Sequence, residues 1–380
     1  MELSELRERI DQIDHSLTDL IAQRLDVVAQ VAQYKKAKGL PVLDSGRERD
    51  ILNRVTAQAG EEYENALRLI YTQMFDISRS REAALMSGES GLARKMGEAV
   101  SKCRDKMTNR ALVACQGTEG AYSQKICQRM FDYPTILYMR TFDDVFAAVE
   151  KGMCPYGILP IENSTAGSVT QVYDLMEKHH FHIVRSARQR IEHVLWGANG
   201  AAIEDIKEVV SHEQALRQCS GFFARHPSIK ATPMENTARA AEYAASSGRR
   251  DLAAIASREC GQLYSLTALD RDVSDETNNY TRFICIARDM EMYRPANKIS
   301  VMLRAEHRPG SLYRLLSYIN VLGVNLTKLE SRPMPGREFE FRFFFDLEGS
   351  LLDASVRSLM EQLASHSDQF TLLGNYEELK

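Results

Sequence analysis

The middle of the chain contains the stretch GILPIENSTAGSV at residues 157–169. It begins with an apolar run typical of a short buried strand, which Pro160 and Gly167 then interrupt. Polar side chains follow, and an amphipathic pattern begins near Ser168. This order predicts a strand, a polar turn and a helix N-terminus, whose free N–H groups suit an anionic ligand. An ordinary connection with a serine N-cap explains the same residues equally well.

The chain has 380 residues, which is too long for a single hydrophobic core and predicts about two to three domains. Its hydrophobic content of 44% and charged content of 26% are those of an ordinary globular protein. The net charge of −4 gives no reason to expect binding to nucleic acid or to an anionic membrane. The lack of a signal peptide and of an apolar run of about 18 residues predicts a cytoplasmic protein.

The seven cysteines form no CxxC pair and no His/Cys cluster with the spacing of a metal site. Their number is odd, and several lie in apolar runs, among them Cys115, Cys127 and Cys285. We therefore expect buried, reduced thiols and no metal ion.

Residues 1–86 show helical periodicity throughout, with apolar residues at spacings of three and four. No Gly or Pro interrupts the pattern before Gly39, so the first helix is predicted to span roughly 33 residues, or about 50 Å. Two shorter helices are predicted at residues 46–58 and 61–85. Because so long a first helix needs packing partners along all of it, we expect a helical homodimer.

Residues 87–109 are polar, charged and small, and are predicted to form a linker with a helical piece near residues 93–102. Residues 110–290 alternate β-rich runs with helical patterns, as an α/β domain does. Strands are predicted at residues 111–115, 156–159, 209–210, 252–256 and 281–287. Polar turns are predicted at residues 117–123, 162–168 and 211–214. Turns that face one another across two lobes would form a cleft.

Residues 296–380 follow the order β-α-β-β-α-β, which is that of a ferredoxin-like fold. The predicted elements lie at residues 299–303, 311–322, 324–329, 339–346, 352–364 and 370–373. The whole chain is thus predicted to be a multidomain α + α/β + α+β protein.

Several charged residues of the first segment share faces of the predicted helices. Arg24 and Lys35 lie eleven residues apart, which is three helical turns, and Ser78 and Glu82 are i, i+4 neighbours. Arg7 lies about 25 Å from Arg24 along the helix axis, so only an antiparallel second copy could bring it to the same small site. A pocket of these groups would suit a dicarboxylate, although a solvated, charged helix surface is the simpler explanation of the spacing alone.

Three features of this segment together resemble the all-helical chorismate mutase family. They are the sequence LRERID at residues 6–11, the spacing of Arg24 and Lys35, and DSGRERD at residues 44–50. The resemblance implies an intertwined homodimer in which Arg7 enters the partner's site. It also implies a set of residues that bind the substrate carboxylates: Arg7, Arg24, Arg47 and Ser78.

By the same resemblance, Lys35 faces the ether oxygen of chorismate, while Asp44 and Glu48 lie near the substrate hydroxyl. Catalysis of this rearrangement needs a compact substrate conformer and stabilisation of negative charge on that oxygen. Many bacterial members of the family have Gln at the position of Glu82. A carboxyl group donates a hydrogen bond only when protonated, so mutase activity is expected to fall as the pH rises. If the register is off by one, Glu82 is instead a solvated helix residue.

Four motifs of the middle segment are weak individually but together resemble prephenate dehydratase over residues 110–290. They are GTEGAYS at 117–123, PIENS at 160–164, SHEQALRQC at 211–219 and TRF at 281–283. The resemblance implies two lobes like those of a periplasmic binding protein, with the site between them. The family's essential Thr matches Thr281, and its Glu-Asn pair matches Glu162 and Asn163. Further implied cleft residues are Ser123, Ser164, Thr165, Gln214, Gln218 and Glu235.

The implied reaction removes the ring hydroxyl as water and the ring carboxylate as CO₂, driven by aromatisation. A hydroxyl and amides can assist both losses without a metal ion or cofactor. We expect Thr281 to be the main hydrogen-bond donor to the leaving hydroxyl, with Gln218 among the catalytic residues. The sequence leaves open which group is the formal acid.

The sequences RPGSL at residues 308–312 and ESRP at residues 330–333 resemble the ACT domain attached to dehydratases. In that family these loops bind phenylalanine between paired domains. The implied effector-binding residues are Gly310, Ser311, Leu312, Glu330 and Ser331. Residues 333–337 are predicted to form a hairpin loop without an assigned role.

The leading hypothesis is a bifunctional enzyme that converts chorismate to prephenate and then to phenylpyruvate, with inhibition by phenylalanine. One alternative is a ligand-sensing regulator, which would need a DNA- or partner-binding element. The first segment offers no short helix-turn-helix pair, and the net charge is negative. A second alternative is a dehydratase whose helical segment only dimerises. The cationic residues retained in that segment argue against it.

Overall fold

A computed structural model describes residues 2–86, 90–276, 278–334 and 340–379. The chain forms two compact units, Met1–Gly97 with Ser358–Asp368 and Glu98–Arg357 with Gln369–Lys380. In the described part of the chain, no helix is both long and apolar enough to cross a membrane. All seven cysteines are free thiols, and Cys115, Cys127 and Cys285 are buried as predicted.

The N-terminal part of the chain is helical, as its periodicity predicts. The helices are α1 (Leu3–Lys38), α2 (Ser45–Ala59), α3 (Glu64–Met86) and α4 (Gly91–Ser101). Helix α1 ends at Gly39, whose φ of 63° is the left-handed conformation that glycine adopts without strain. Helix α4 lies within the predicted linker, of which residues 87–89 are outside the described residues.

Helix α1 is covered along only part of its length. Helix α3 lies beside its C-terminal half, and Val28 and Ala32 are the buried residues of α1. The apolar residues of the N-terminal half are exposed instead: Leu3, Leu6, Ile10, Ile13, Leu17, Leu20 and Ile21. An apolar stripe about five turns long is thus left without a partner in the described part of its own chain.

Residues 110–290 form two α/β lobes, as predicted. The elements of the first lobe are β1 (Arg110–Gln116), α5 (Tyr122–Met130), β2 (Tyr133–Met139), α6 (Phe142–Glu150), β3 (Tyr156–Asn163), β4 (Gly167–Ser168), α7 (Thr170–His179) and β5 (His182–Arg190). The chain then crosses to the second lobe. Its elements are β6 (Val194–Gly197), a 3₁₀ turn (Ile203–Asp205), β7 (Glu208–His212), α8 (Glu213–Arg217), α9 (Ser220–Arg225), β8 (Lys230–Met234), α10 (Thr237–Ser246), β9 (Leu252–Ala256), α11 (Arg258–Leu263) and β10 (Thr267–Asp270).

Strand β11 (Tyr280–Ala287) returns to the first lobe and pairs antiparallel with both β3 and β5. The first-lobe sheet has the order β5-β11-β3-β1-β2, and the second-lobe sheet has the order β10-β6-β9-β7-β8. Helices cover both faces of each sheet, so the two lobes have separate apolar cores. The chain passes between the lobes twice, after β5 and before β11. The predicted cleft lies beside these two crossings.

The C-terminal residues follow the predicted order. The elements are β12 (Lys298–Ala305), α12 (Ser311–Val321), β13 (Leu326–Pro333), β14 (Phe341–Glu348), α13 (Ala354–Ser365) and β15 (Ser367–Leu379). The strand order is β13-β14-β12-β15. The predicted hairpin loop falls partly on residues 335–339, which are outside the described residues.

The C-terminal sheet continues directly into the sheet of the first lobe, because β15 pairs with β5. A side chain at Gly374 would place its Cβ 2.1 Å from the carbonyl oxygen of Ile183, so only glycine permits this close approach. Helix α7 also contributes Tyr173 and other residues to a core shared with Phe344 of β14 and Tyr376 of β15. The strands of the C-terminal region are therefore packed directly against the first lobe.

The strands of the lobes differ from the sequence predictions in extent and in number. Strand β3 does not stop before Pro160 but continues to Asn163, where a tight turn leads into β4. Strands β2, β6, β8 and β10 were not predicted, and neither was β5, whose run HIVRSARQR carries several polar side chains. Its neighbours on both sides supply the backbone hydrogen bonds that make it a strand, which no local pattern reveals.

Candidate functional site

The predicted dehydratase residues meet where β3 and β11 pair. Asn163 lies opposite Thr281 in that pairing, and both side chains are more than nine-tenths buried. Asn163 Oδ1 accepts hydrogen bonds from the backbone N–H groups of Thr165 (3.1 Å) and Ala166 (2.8 Å). A backbone N–H can only donate, so these contacts fix which end of the Asn163 amide is the oxygen.

The opposite end of the amide faces Thr281. Asn163 Nδ2 donates to the Thr281 hydroxyl oxygen at 2.9 Å, so that oxygen acts as an acceptor. The Thr281 hydroxyl donates no hydrogen bond to any residue that the structure describes. Its proton is therefore available to a ligand in the cleft.

A ring of hydrogen bonds extends this arrangement to the second lobe. Asn163 Nδ2 also donates to Asn279 Oδ1 at 2.7 Å, which leaves Asn279 Nδ2 to donate to Gln218 Oε1 at 3.1 Å. Gln218 Nε2 donates to the Thr165 hydroxyl at 2.9 Å, and that hydroxyl donates to Asn163 Oδ1 at 2.7 Å. The direction of every bond in the ring thus follows from the two backbone amides.

His193 contacts the ring from the first crossing between the lobes. Its Nε2 lies 3.0 Å from Gln218 Oε1, which is an acceptor, so Nε2 carries the proton. Burial lowers the pKa of His193, although the hydrogen bond to Gln218 acts in the opposite direction. The imidazole of His193 is therefore neutral at physiological pH, with its lone pair on Nδ1.

This cluster offers a ligand uncharged donors rather than ions. One hydroxyl proton and several amide N–H groups can hydrogen-bond a departing oxygen without solvating a carboxylate strongly. Within the described residues, no group of three or more His, Cys, Asp or Glu side chains is placed to hold a metal ion.

Glu162 lies on the other face of the same strand. Successive side chains alternate across a sheet, so Glu162 points away from the face that carries Asn163. Its Oε1 lies 3.2 Å from Lys328 Nζ, and its Oε2 lies 3.8 Å from Arg282 Nε. The structure therefore separates the predicted Glu-Asn pair and places Glu162 against the C-terminal region.

Arg282 is the centre of this second face. Its guanidinium pairs with Asp346 of β14 and lies 3.7 Å from Glu378 of β15. Burial by itself would lower the pKa of Arg282, but the neighbouring Asp346 carboxylate outweighs it and holds the pKa above its usual value. The strand pair thus carries neutral amides on one face and a buried ionic network on the other.

The remaining predicted cleft residues are less closely joined. Ser164 holds the turn by accepting from the backbone N–H of Tyr280 at 2.9 Å. Ser123 is buried at the start of α5, Gln214 lies in α8, and Glu235 is exposed. In the part of the chain that the structure describes, no side-chain hydrogen bond or ion pair joins these three residues to the ring of hydrogen bonds around Asn163.

The turn at residues 117–123 packs against the second lobe. The carbonyl oxygen of Gly120 accepts from Ser257 Oγ at 3.0 Å, and Lys125 Nζ lies 2.6 Å from Glu259 Oε1. These contacts join α5 of the first lobe to α11 of the second.

In the helical segment, the predicted mutase residues pair with one another. Arg24 donates to Ser78 Oγ at 2.6 Å, and Lys35 Nζ lies 2.7 Å from Glu82 Oε2. Ser78 and Glu82 are both buried, which confirms that they face α1 rather than solvent. Helices α1 and α3 thus place two cations and two acceptors together, as the spacing predicts.

The second helix contributes less directly. The Asp44 carboxylate accepts from the backbone N–H of Arg47 at 2.9 Å and so caps α2. Glu48 pairs with Arg79, which also pairs with the buried Asp76. Arg47 is exposed.

Arg7 lies nearly four-fifths of the length of α1 away from Lys35 and is exposed. No hydrogen bond or ion pair joins it to another side chain among the described residues. A single chain therefore does not bring Arg7 to the cluster of Arg24 and Lys35.

The C-terminal region contains a pocket of about 390 Å³ beside the turn at residues 308–312. Ser311 and Leu312 line it, as do Phe341 and Phe343 of β14. The buried Ser311 hydroxyl has no hydrogen-bond partner among the residues described. Gly310 precedes α12 with a φ of 83°, a conformation that favours glycine and lets the turn enter the helix.

Glu330 and Ser331 lie elsewhere. Glu330 accepts from Ser168 Oγ at 2.8 Å, and Lys328 Nζ donates to the same hydroxyl at 2.8 Å. Ser331 is exposed on β13. The two predicted effector motifs are therefore separated within one chain.

Several residues at these sites were not predicted from the sequence, among them Asp76, Arg79, His193, Asn279 and Arg282. Arg282 lies in the TRF motif directly after Thr281. Because side chains alternate along a strand, Arg282 must point to the other face of the sheet. His193 has no local signal, because its partner Gln218 belongs to the other lobe.

Comparison with known proteins gives two family matches, prephenate dehydratase over residues 113–291 and chorismate mutase type II over residues 6–83. Arogenate dehydratase 2 of Petunia hybrida is 33% identical over 286 residues, which cover 70% of this chain and 72% of that protein. The bifunctional chorismate mutase/prephenate dehydratase of Escherichia coli (strain K12) is 29% identical over 378 residues, covering 98% of this chain and 95% of that protein. A crystal structure of prephenate dehydratase from Arthrobacter aurescens in complex with L-Phe matches with a TM-score of 0.64 and 27% identity, covering 70% of this chain and 89% of that chain.

Proposed function

Because the chain belongs to the prephenate dehydratase family and carries a chorismate mutase type II segment ahead of that region, we propose that it catalyses two consecutive steps of phenylalanine biosynthesis. The helical segment rearranges chorismate to prephenate. The two-lobed region converts prephenate to phenylpyruvate, water and CO₂. The free proton of the Thr281 hydroxyl is the observation that carries the second assignment.

In the dehydratase reaction, the C–C bond to the ring carboxylate breaks and its electron pair enters the ring. The C–O bond of the ring hydroxyl breaks with it, and the departing oxygen takes up one proton, ultimately from solvent, and leaves as water. Thr281 donates a hydrogen bond to that oxygen as negative charge develops on it. Asn163 strengthens this donor, because its own N–H donates to the Thr281 oxygen and polarises the hydroxyl.

Gln218, Thr165 and Ser164 support this donor from the turn after β3 and from the second lobe. Ser123, Gln214 and Glu235 are retained as substrate contacts of the cleft on the basis of the motif match. Glu162 is assigned to the ion pairs behind the strands rather than to the reacting atoms, since it contacts Lys328 and Arg282.

In the mutase reaction, Lys35 and Glu82 act at the ether oxygen, and Arg24 and Ser78 bind a carboxylate. Arg47, Asp44 and Glu48 complete the site from α2. Arg7 enters from a second copy of the chain, so the working form is a homodimer. The exposed apolar stripe of α1 supports this assembly, because its burial would contribute about 25 cal/mol per Å².

Phenylalanine is proposed to inhibit the dehydratase by binding to an ACT domain formed by residues 296–380. Its aromatic ring suits the pocket lined by Phe341 and Phe343, which Ser311 and Leu312 also line, next to Gly310 in the chain. In a pair of such domains, Glu330 and Ser331 of the partner would complete the site. The ion pairs of Arg282 with Asp346 connect this domain directly to the strand that carries Thr281.

Both reactions proceed without redox change, so the proposal includes no cofactor and no metal ion. It places the enzyme in the cytoplasm and assigns it no nucleic-acid or membrane partner.

The decisive experiment gives the purified protein chorismate alone and follows its loss together with phenylpyruvate formation. Appearance of phenylpyruvate supports both activities, and accumulation of prephenate would leave only the mutase. Conversion of added prephenate without any loss of chorismate would leave a dehydratase whose helices only dimerise. Loss of neither substrate would favour a ligand-sensing role, and a parallel assay with arogenate tests the activity named for the petunia relative.

A further inference from the structure

His193 is a buried residue at the first crossing between the lobes and has no place in the proposed chemistry. It is 3% exposed, and its side chain contacts the ring of amides only through Gln218. Gln218 directly follows α8 of the second lobe, so His193 links the crossing to that lobe at the level of the cleft.

We propose that His193 is a positioning residue of the dehydratase site, which fixes the orientation of the Gln218 amide and thereby the direction in which Thr281 presents its proton. This inference rests on the proposed dehydratase function. His193 does not touch the reacting atoms. It acts through Gln218, and Gln218 acts through Thr165 and Asn279 on Asn163.

The geometry gives a physical reason for the assignment. Gln218 Oε1 accepts from two donors, His193 Nε2 and Asn279 Nδ2. Both donors disfavour the flipped amide, because Gln218 Nε2 would then face two N–H groups and could accept from neither of them. Among the described residues, removal of the imidazole donor leaves Asn279 Nδ2 as the one donor to Gln218 Oε1, so the Gln218 amide is held less firmly.

A flip of Gln218 would spread to Thr281. The flipped oxygen would face the Thr165 hydroxyl, which would then donate to it instead of to Asn163 Oδ1. The Asn163 amide would be held by the backbone amides alone, and its contact with Thr281 would loosen. Misplacement of a donor by about 1 Å can lower a rate by about 100-fold.

Two variants of His193 separate positioning from packing. His193→Leu removes the donor, and the dehydratase kcat is expected to fall about 10- to 100-fold with a smaller change in KM. His193→Gln offers an N–H at nearly the position of Nε2, and its kcat is expected to return to within about three-fold of the original protein. Mutase activity, measured on the same samples, should be unchanged in both and shows that the chain is folded.

His182→Leu is the matched control. His182 is a second buried imidazole on β5, and its Nδ1 lies 3.3 Å from the carbonyl oxygen of Leu373, away from the ring of amides. Its loss should lower the melting temperature and leave the dehydratase kcat within about three-fold.

A double-variant cycle tests the route through Gln218. If His193 acts through that amide, His193→Leu should have little further effect in a protein that already carries Gln218→Ala. Multiplicative effects of the two substitutions, or a His193→Gln variant as impaired as His193→Leu, would overturn the proposal. So would a His193→Leu variant with the kcat of the original protein.

A spectroscopic measurement keeps this inference separate from the proposed function. In protein labelled with ¹⁵N-histidine, the signals lost in His193→Gln identify His193, and they should show a neutral ring protonated at Nε2. A ring protonated at Nδ1 would contradict the geometry whatever the enzyme does. If the original protein converts neither prephenate nor arogenate, the proposed function fails, while the tautomer still decides the hydrogen bond.

Discussion

The two candidate sites differ in how much of each a single chain supplies. In the dehydratase cleft, Thr281, Asn163 and Gln218 are held by one another and by backbone amides of the same chain. In the helical segment, Arg24 and Lys35 meet their partners on α3, but Arg7 lies far along α1 among exposed apolar side chains.

This difference follows from the two folds. A cleft between α/β lobes is enclosed by strands and turns that pair within the chain, so its polar groups can be fully oriented before a ligand arrives. A lone long helix has no such enclosure, and its apolar stripe is buried only when another apolar surface of the same length packs against it. Substitutions should therefore act within one chain in the cleft and across two chains in the helices.

The largest expected effect is that of Thr281→Ala. A methyl group cannot donate to the leaving hydroxyl, so dehydratase turnover should fall about 100- to 1,000-fold or more. Thr281→Ser keeps the hydroxyl and should retain most of the activity. Steady-state assays with prephenate measure both, with chorismate loss as the control for folding. Turnover of the alanine variant close to that of the original protein would remove Thr281 from the mechanism.

Arg7→Ala and Lys35→Ala probe the helical side of the comparison. Each variant alone should lose about 100-fold or more of the mutase activity, because each removes a cation from every site. In a mixed dimer, one site lacks both groups and the other is intact. Random mixing should restore about a quarter of the original activity, since half of the dimers are mixed and each has one working site.

The two variants are refolded together and assayed for chorismate loss, with dimers verified by size. Refolding each variant with itself provides the baseline. Absence of any recovery in verified mixed dimers would mean that Arg7 serves a site in its own chain or none.

Asn163→Asp and Glu162→Gln compare the two faces of β3. The first replaces the N–H donor to Thr281 with a second acceptor, so dehydratase kcat should fall about 100-fold. The second affects ion pairs with Lys328 and Arg282 behind the strand, and kcat should stay within about three-fold. Equal losses in the two variants would show that Glu162 acts in the cleft after all.

Arg282→Met tests whether the face behind the strands serves stability. The substitution leaves the carboxylate of Asp346 buried without its cation and should lower the free energy of unfolding by about 3–5 kcal/mol. Arg188→Met is the control, because Arg188 pairs with Glu378 while its side chain is 56% exposed. Its loss should cost less than about 1 kcal/mol.

Urea unfolding, followed by the signal of the α/β region, measures both variants. Equal stability of the Arg282 and Arg188 variants would contradict the idea that the buried network holds the C-terminal region to the first lobe. Point substitutions are preferable to removal of residues after 290, because truncation would also expose the core shared by Tyr173 and Phe344.

Local sequence patterns were sufficient to predict many of the helices and strands of this protein. Periodicity predicted α1, α2 and α3, and the run LAAIA predicted β9 at the residues where it occurs. The β-α-β-β-α-β order of the last segment was also evident from its apolar runs. These elements are determined by the sequence because each is specified by residues within a few positions of one another.

Tertiary structure decided the features that depend on partners distant in the chain. Alternation along β3 implies that Glu162 and Asn163 face opposite ways, but only the packing of β14 behind the sheet shows which face is the cleft. Likewise, β5 is a strand because β11 and β15 flank it. His193 contacts the ring of hydrogen bonds because the fold brings Gln218 to it. Local sequence therefore determined the helices of the first segment, several strands and the family, whereas the direction of each hydrogen bond in the cleft was set by long-range pairing, which local composition does not encode.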